Sequence, residues 1–197
     1  DGLLAIVVIG ATTVSSTFTL GTAYRLRRPD DLADLGVTAE NNARLVELVG
    51  QFYGESPEGT PVYVVGYAST ESMTSLCTPA TGALKGLLKT LRGELRGLVI
   101  ASAKDDEPEV TEGLDPDVFT ALPEAVYAAT ELYSPVFIAL EGRAFESAAD
   151  LKDLSQEDFN FCCVVIGDTS AGGAHAAMGT FAGRAAACAV QRNIGCG

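Results

Sequence analysis

The feature that most constrains the fold is a repeated alternation between short apolar runs and longer segments with helical spacing. The first run, Leu3 to Ile9, is continuously apolar and ends at Gly10, which is typical of a strand covered on both faces of a sheet. The runs at residues 62–65, 98–101, 136–140 and 162–166 have the same character. These five runs are predicted to be strands of one sheet.

Helical spacing of apolar residues separates the strands. It predicts helices at about residues 38–53, 82–95, 115–132 and 174–190, with one or two helical turns at 29–35. Strands that alternate with helices in this way predict an α/β fold. We expect a mainly parallel sheet of about five strands, with a mixed sheet as the alternative, and helices on both faces. No linker divides the chain, so residues 1–197 are predicted to be a single domain.

The charge balance excludes two classes of partner. Acidic residues outnumber basic residues by 26 to 13, which gives a net charge of −13 at pH 7. Such a charge repels nucleic acid and anionic membrane surfaces, so neither is expected as a partner. The longest apolar run is far shorter than the ~20 residues that span a bilayer, and no direct membrane insertion is expected. Because the chain begins at Asp1, we expect a fragment of a longer protein.

The cysteine pattern does not indicate a metal site or a disulfide framework. The chain has five cysteines, no CxxC spacing and a single histidine, whereas structural zinc sites need four closely spaced Cys or His ligands. Cys162 and Cys163 are neighbours on a predicted strand, so their side chains point to opposite faces. We expect reduced, mostly buried thiols, and neither a metal nor a cofactor.

Two loops are candidate ligand sites. Residues 10–16 contain neither GxGxxG nor a P-loop and are predicted to be an ordinary turn. Residues 167–175 combine an acid, two hydroxyls and glycines with the lone His175, between a strand and a helix, where α/β folds often bind ligands. They support an alternative hypothesis, a small-molecule-binding or hydrolytic α/β enzyme.

The enzyme hypothesis has specific weaknesses. No GxSxG elbow surrounds Ser170, and the members of a catalytic triad normally come from separate loops rather than from eight consecutive residues. The segment is therefore predicted to be the capped entry of a helix. No catalytic residue is assigned, and the protein is predicted not to be an enzyme.

A basic stripe and an acidic segment are candidate subunit contacts. Four basic residues lie at helical spacing along the predicted helix 82–95: Lys85, Lys89, Arg92 and Arg96. A solvated helix face explains this stripe, and docking to an acidic partner surface is the alternative. Segment 105–117 offers such a surface, beginning with the acidic residues Asp105, Asp106, Glu107 and Glu109. Patches of opposite charge that face apart favour head-to-tail association of copies.

The last predicted helix is built from small residues. Gly179 and Gly183 lie inside it, among many alanines. An interior glycine is unfavourable by about 0.5–1 kcal/mol relative to Ala. Close packing against a neighbouring element is the expected compensation.

Several segments, taken in order, resemble the contractile tail-sheath family. They are residues 5–11 (AIVVIGA), 24–36 (YRLRRPDDLADLG), 51–53 with the strand at 60–65, and 178–195. The last is the strongest match, because a small-residue helix leads into the pattern V-x-x-N-I-G at residues 190–195.

The resemblance implies a structural protein. Sheath proteins stack as helical rings around a tail tube and contract, and their terminal arms add strands to neighbouring subunits. It implies copies of this chain and a tail-tube protein as partners. It also implies synthesis in the bacterial cytoplasm and a place in a phage or prophage virion tail, or in a contractile injection apparatus. The present chain is expected to lack the terminal arms.

Overall fold

The computed structural model describes residues 3–78, 83–103, 118–133, 135–142, 153, 161–167 and 175–188. Within these residues the strands are β1 Leu3–Ile9, β2 Tyr24–Leu26, β3 Val62–Tyr67, β4 Leu95–Ser102, β5 Phe137–Gly142 and β6 Cys162–Ile166. The helices are α1 Asp30–Asp34, α2 Ala39–Glu55, α3 Met73–Cys77, α4 Ala83–Thr90, α5 Val118–Glu131 and α6 Met178–Ala187.

The strands form one sheet in the order β2-β3-β1-β4-β5-β6. All neighbours are parallel except the short edge strand β2, which is antiparallel to β3. The prediction of an α/β fold with a mainly parallel, mixed sheet is therefore confirmed. The first predicted strand lies at the centre of the sheet, as its continuous apolar run indicates.

Helices cover both faces of the sheet, because alternate residues of each strand point to opposite sides. Ala5, Val7 and Ile9 of β1 pack with the leucines of α4 and with α3 and α5. Leu4, Ile6 and Val8 pack with the apolar residues of α1, α2 and α6. Each face of β1 therefore contributes to a separate apolar core.

The predicted helix 82–95 is wrong in its last part. α4 ends at Thr90, and β4 follows after a turn in which Gly93 has a φ of 81°. A glycine in the left-handed conformation commonly follows the end of a helix. Arg92 therefore lies in the turn and Arg96 on β4, so the four basic residues do not form a stripe on one helix.

Other differences concern boundaries and two short elements, the three-residue strand β2 and the helix α3, which are not among the predicted elements. β3, β4 and β5 extend beyond their predicted ends, and α6 begins at Met178 rather than at 174. The five-residue helix α3 was not predicted, because it is too short for helical periodicity to be visible. The predicted helix start at 115–116 lies outside the described residues. None of the described helices is long and apolar enough to cross a membrane.

The small residues of α6 allow its backbone to approach that of α2. A Cβ added at Gly179 would overlap the carbonyl oxygen of Leu48, and one added at Gly183 would overlap that of Phe52. The Gly179 N–H donates to Gln51 Oε1 at 3.2 Å. The expected close packing of the small-residue helix is therefore confirmed.

We predict that Gly183→Ala destabilises the fold by about 1–3 kcal/mol, because the added methyl group must push α6 away from α2. Gly50→Ala is the matched control, since no atom lies within 4 Å of a Cβ at that helical position. The control should be neutral or stabilising by up to about 1 kcal/mol. Urea unfolding of both variants measures the difference, and equal stabilities would contradict the packing described.

Candidate functional site

A cavity lies where parallel α/β sheets commonly bind ligands. In the sheet, β3 and β4 lie on opposite sides of β1, so the connections from their strands diverge and leave a crevice between them. The carboxyl ends of β1 and β4 border this crevice. The cavity has a volume of about 280 Å³. Its lining comes from the ends of β1 and β4, the first turns of α2 and one residue before α6, including Gly10, Asn42, Arg44, Ala103 and His175.

Next to this cavity, a carboxylate and a guanidinium form a buried ion pair. Glu141 lies on β5 after an apolar run and is completely buried, while Arg44 of α2 is 6% exposed. Arg44 Nη2 donates to Glu141 Oε1 at 2.6 Å. The two residues are 97 positions apart in the sequence, so the pair joins α2 to the sheet.

Backbone groups complete the coordination of Glu141. The N–H of Ser102 donates to Oε2 at 2.7 Å, and the N–H of Ala176 donates to Oε1 at 2.9 Å. Arg44 Nη2 also donates to the carbonyl oxygen of Ala176 at 2.7 Å. We call Glu141, Arg44 and these backbone groups of Ser102 and Ala176 the Glu141 cluster. It connects α2, β4, β5 and the segment before α6.

The cluster favours the ionised form of Glu141. Burial alone would raise the pKa of this carboxyl, but His175, the charge of Arg44 and the N–H of Ser102 together hold its pKa below the usual value. His175 Nδ1 lies 3.4 Å from Glu141 Oε1. The carboxylate is therefore charged and neutralised in place at neutral pH.

The geometry suits structural anchoring better than acid–base catalysis. Both Glu141 oxygens already accept strong hydrogen bonds, and the carboxyl group is sealed from solvent. A general base must instead reach a substrate proton directly or through one water. Among the described residues, no group of three or more His, Cys, Asp or Glu residues is placed to hold a metal ion.

The loop after β1 is fixed by an amide side chain. Asn42 Oδ1 accepts from the N–H of Thr12 at 2.7 Å, and Asn42 Nδ2 donates to the carbonyl oxygen of Thr12 at 3.0 Å. Asn42 itself has non-helical dihedral angles, φ −148° and ψ 59°, within α2. α2 therefore has a kink at Asn42, and the same residue ties its first turn to this loop beside the cavity.

The basic residues predicted as subunit contacts are all exposed, but they lie on three different elements. Lys85 and Lys89 are on α4, Arg92 is in the following turn, and Arg96 is on β4. The predicted acidic contacts lie outside the described residues: Asp105, Asp106, Glu107 and Glu109. The structure therefore does not test whether the two groups meet.

Of the site-like segment 167–175, only the two end residues Gly167 and His175 are described. His175 lies beside Glu141, three residues before α6. The N-cap of α6 is Ala177, which makes no side-chain cap, so the prediction that 167–175 is the capped entry of this helix is wrong. Asp168 and Ser170 lie outside the described residues. No arrangement of these side chains as a triad can therefore be assigned.

Sequence reasoning missed Arg44 and Glu141. A weak signal was present in each case. Glu141 directly follows the apolar residues of its strand, and Arg44 precedes Leu45 on the apolar side of its helix. A charge in either context suggests a buried partner, but the sequence does not indicate which residues pair.

The described cysteines are free thiols. Cys77 is buried, but Cys162 and Cys188 are only partly buried, so the expectation of mostly buried thiols is wrong for the described residues. Cys162 is half-buried, and burial raises its pKa to about 12. The thiolate is the reactive form of cysteine, so Cys162 is poorly suited to nucleophilic chemistry. Cys163 differs from the expectation, because its edge-strand position leaves it exposed.

We predict that Glu141→Leu destabilises the fold by about 3–5 kcal/mol, the usual effect of breaking a buried ion pair. The change removes the acceptor of two backbone N–H groups and leaves the buried Arg44 only its bonds to the Ala176 carbonyl oxygen and to Glu47. Glu47→Gln is the control, because Glu47 also bonds Arg44 but its side chain is 52% exposed. The control should lose less than about 1 kcal/mol. Similar urea midpoints for the two variants would rule out an anchoring role.

We also predict a specific acid dependence of the cluster. The pKa of Glu141 is lowered from 4.5 in the folded state. Its stabilising contribution is therefore complete above that pH and lost as the pH falls through the folded-state pKa. The stability advantage of wild type over Glu141→Gln should shrink from pH 5 toward pH 2. An advantage that stays constant in thermal unfolding over this range would contradict the ionised pair.

Comparison with known proteins gives one family. The family described as DUF2586, N-terminal domain, matches residues 4–196. The match begins in β1 and continues beyond α6, so it covers nearly all of the chain. A search of curated proteins finds no match.

Proposed function

The chain belongs to the DUF2586 family, N-terminal domain, and we propose that it is a structural subunit of a contractile tail sheath. In this proposal, copies of the chain assemble helically around a tail tube. The partners are other copies and a tube protein. The protein is made in the bacterial cytoplasm and acts in a virion tail or a related injection apparatus.

The observation that carries this proposal is the packing of α6. This helix contains residues 178–187 of the segment with the strongest resemblance to sheath proteins, whereas the pattern at 190–195 lies outside the described residues. The small residues of the helix are needed for the backbone contact with α2. Gly179 and Gly183 face Leu48 and Phe52, and Arg184 Nε bonds Glu55 Oε2 at 3.0 Å along the same contact. The resemblance therefore coincides with a specific structural requirement rather than with an exposed, freely variable helix.

The edge of the sheet supports the same proposal. In the part of the chain that the structure describes, β6 pairs with β5 alone. Ile166, the last residue of β6, is 45% exposed, and Phe161, the residue before the strand, is 55% exposed. An accessible edge strand with apolar side chains is the surface on which an added strand can dock. A strand from the arm of a neighbouring copy is the occupant that the sheath proposal requires.

The Glu141 cluster also suits a contractile array. Subunits in such an array exchange contacts while each keeps its own fold. A buried junction among α2, β4, β5 and the segment before α6 ties the helical layer of α2 and α6 to the sheet. This internal rigidity supports rearrangement between copies rather than within one copy.

The cavity favours a second candidate function, the binding of a small molecule beside His175. It lies at the usual ligand position of the fold and is bordered by polar groups. The saturation of Glu141 argues against hydrolysis at this place. Under this second proposal, His175→Ala would abolish ligand binding, whereas under the sheath proposal it leaves assembly intact.

We predict that the full-length protein forms hollow tubes visible by negative-stain electron microscopy. Ile166→Lys should reduce the yield of tubes at least fivefold, because a charge at the accessible edge opposes strand addition. Thermal unfolding of the variant should match wild type, since the side chain is exposed. Absence of tubes from the folded wild type would refute the sheath proposal, and a normal yield from Ile166→Lys would exclude β6 as the docking edge.

A further inference from the structure

Helix α4 on one face of the sheet is basic, whereas α1 and α2 on the other face are rich in acidic residues. On one face, residues 83–96 contain four basic residues and one acidic residue, Glu94. Glu94 accepts a hydrogen bond from the hydroxyl of Tyr63 at 2.6 Å. Lys85, Lys89 and Arg92 are exposed, and no carboxylate of the described residues forms an ion pair with them. We call these three residues the basic surface.

On the other face, α1 and α2 form an acidic surface. Residues 30–55 contain six acidic residues and a single basic residue, Arg44. Arg44 is buried but forms an ion pair with Glu47, and Arg28 and Arg184 pair with Asp31 and Glu55. We define the acidic surface by the exposed residues Asp30, Asp34 and Glu40, which form no ion pair with a described residue.

An exposed aromatic side chain lies beside the basic surface. The guanidinium carbon of Arg92 lies 5.8 Å from the ring centre of Tyr133, which follows α5. Tyr133 is 84% exposed and has a φ of 55°. A positive φ is unusual for a bulky residue, yet the ring gains almost no burial in this conformation. Tyrosine and arginine are the residues most enriched at the energetic centres of protein interfaces.

We propose that the basic surface, with Tyr133 beside it, docks on the acidic surface of a second copy of the chain. The charge complementarity is between α4 of one copy and α1 and α2 of the next. Because the two surfaces lie on opposite faces of the same sheet, the contact is head-to-tail and leaves a free surface at each end. This inference rests on the proposed sheath function, and it names surfaces of the described domain other than the edge strand β6.

The test uses two full-length variants that reverse one surface each. K85E/K89E makes the basic surface acidic, and D34K/E40K makes the acidic surface basic. All four side chains are exposed, so thermal unfolding should match wild type. The two variants change the net charge in opposite directions. A loss of assembly in both therefore cannot come from net charge alone.

We predict that each variant alone gives at least fivefold less sedimentable assembly than wild type, at matched ionic strength near 0.1 M. An equimolar mixture should recover wild-type yield with a one-to-one composition. Each reversed surface then meets its complement only on the other variant, so the copies alternate. Tyr133→Asn should also lower the yield, because asparagine accepts the left-handed backbone but lacks the ring.

The outcomes separate this inference from the function on which it rests. Wild-type tubes with full assembly of either variant alone would overturn the docking contact and leave the sheath function standing. Wild-type tubes with a mixture that fails to recover would do the same. A folded wild type that remains monomeric would overturn both.

Discussion

The fold depends on one buried carboxylate that accepts hydrogen bonds from three separate parts of the chain. Glu141 binds the guanidinium of Arg44 and the backbone N–H groups of Ser102 and Ala176. Ionised groups are costly to bury, and only close pairing with complete hydrogen bonding offsets that cost. The cluster therefore specifies that α2 and the segment before α6 lie over β4 and β5. The apolar contacts of the two cores are less specific, because apolar side chains can pack in several arrangements.

The α2–α6 contact depends on this arrangement. Ala176 lies two residues before α6, so its bonds to Glu141 and Arg44 fix the point at which the helix starts. The glycines of α6 then meet the carbonyl oxygens of Leu48 and Phe52. The Glu141 cluster sets the position of α6 at its start, and Gly179 and Gly183, which have no side chains, permit the close approach to α2 along the helix.

The sequence predicts this fold well where one element has one dominant signal. β1 and β6 have the predicted bounds, because each is a short apolar run with clear ends. Prediction fails where local signals compete, as in 82–95, where the leucine spacing continues past the turn at Gly93. It also fails for the Glu141 cluster, since two of its four members contribute backbone atoms that carry no sequence signal. Contacts between copies are less predictable still, because they depend on which charges the fold brings to one face.

The use of backbone donors in the cluster has an evolutionary consequence. Arg44 and Glu141 are not free to change one at a time, because either single change removes the closest opposite charge from the other buried group. Ser102 and Ala176 contribute only their main-chain groups, so this interaction places no demand on the identity of their side chains. Related sequences that differ elsewhere could therefore keep the same junction through two coupled positions, 44 and 141. If both residues were replaced by apolar ones, the N–H groups of Ser102 and Ala176 would need new acceptors.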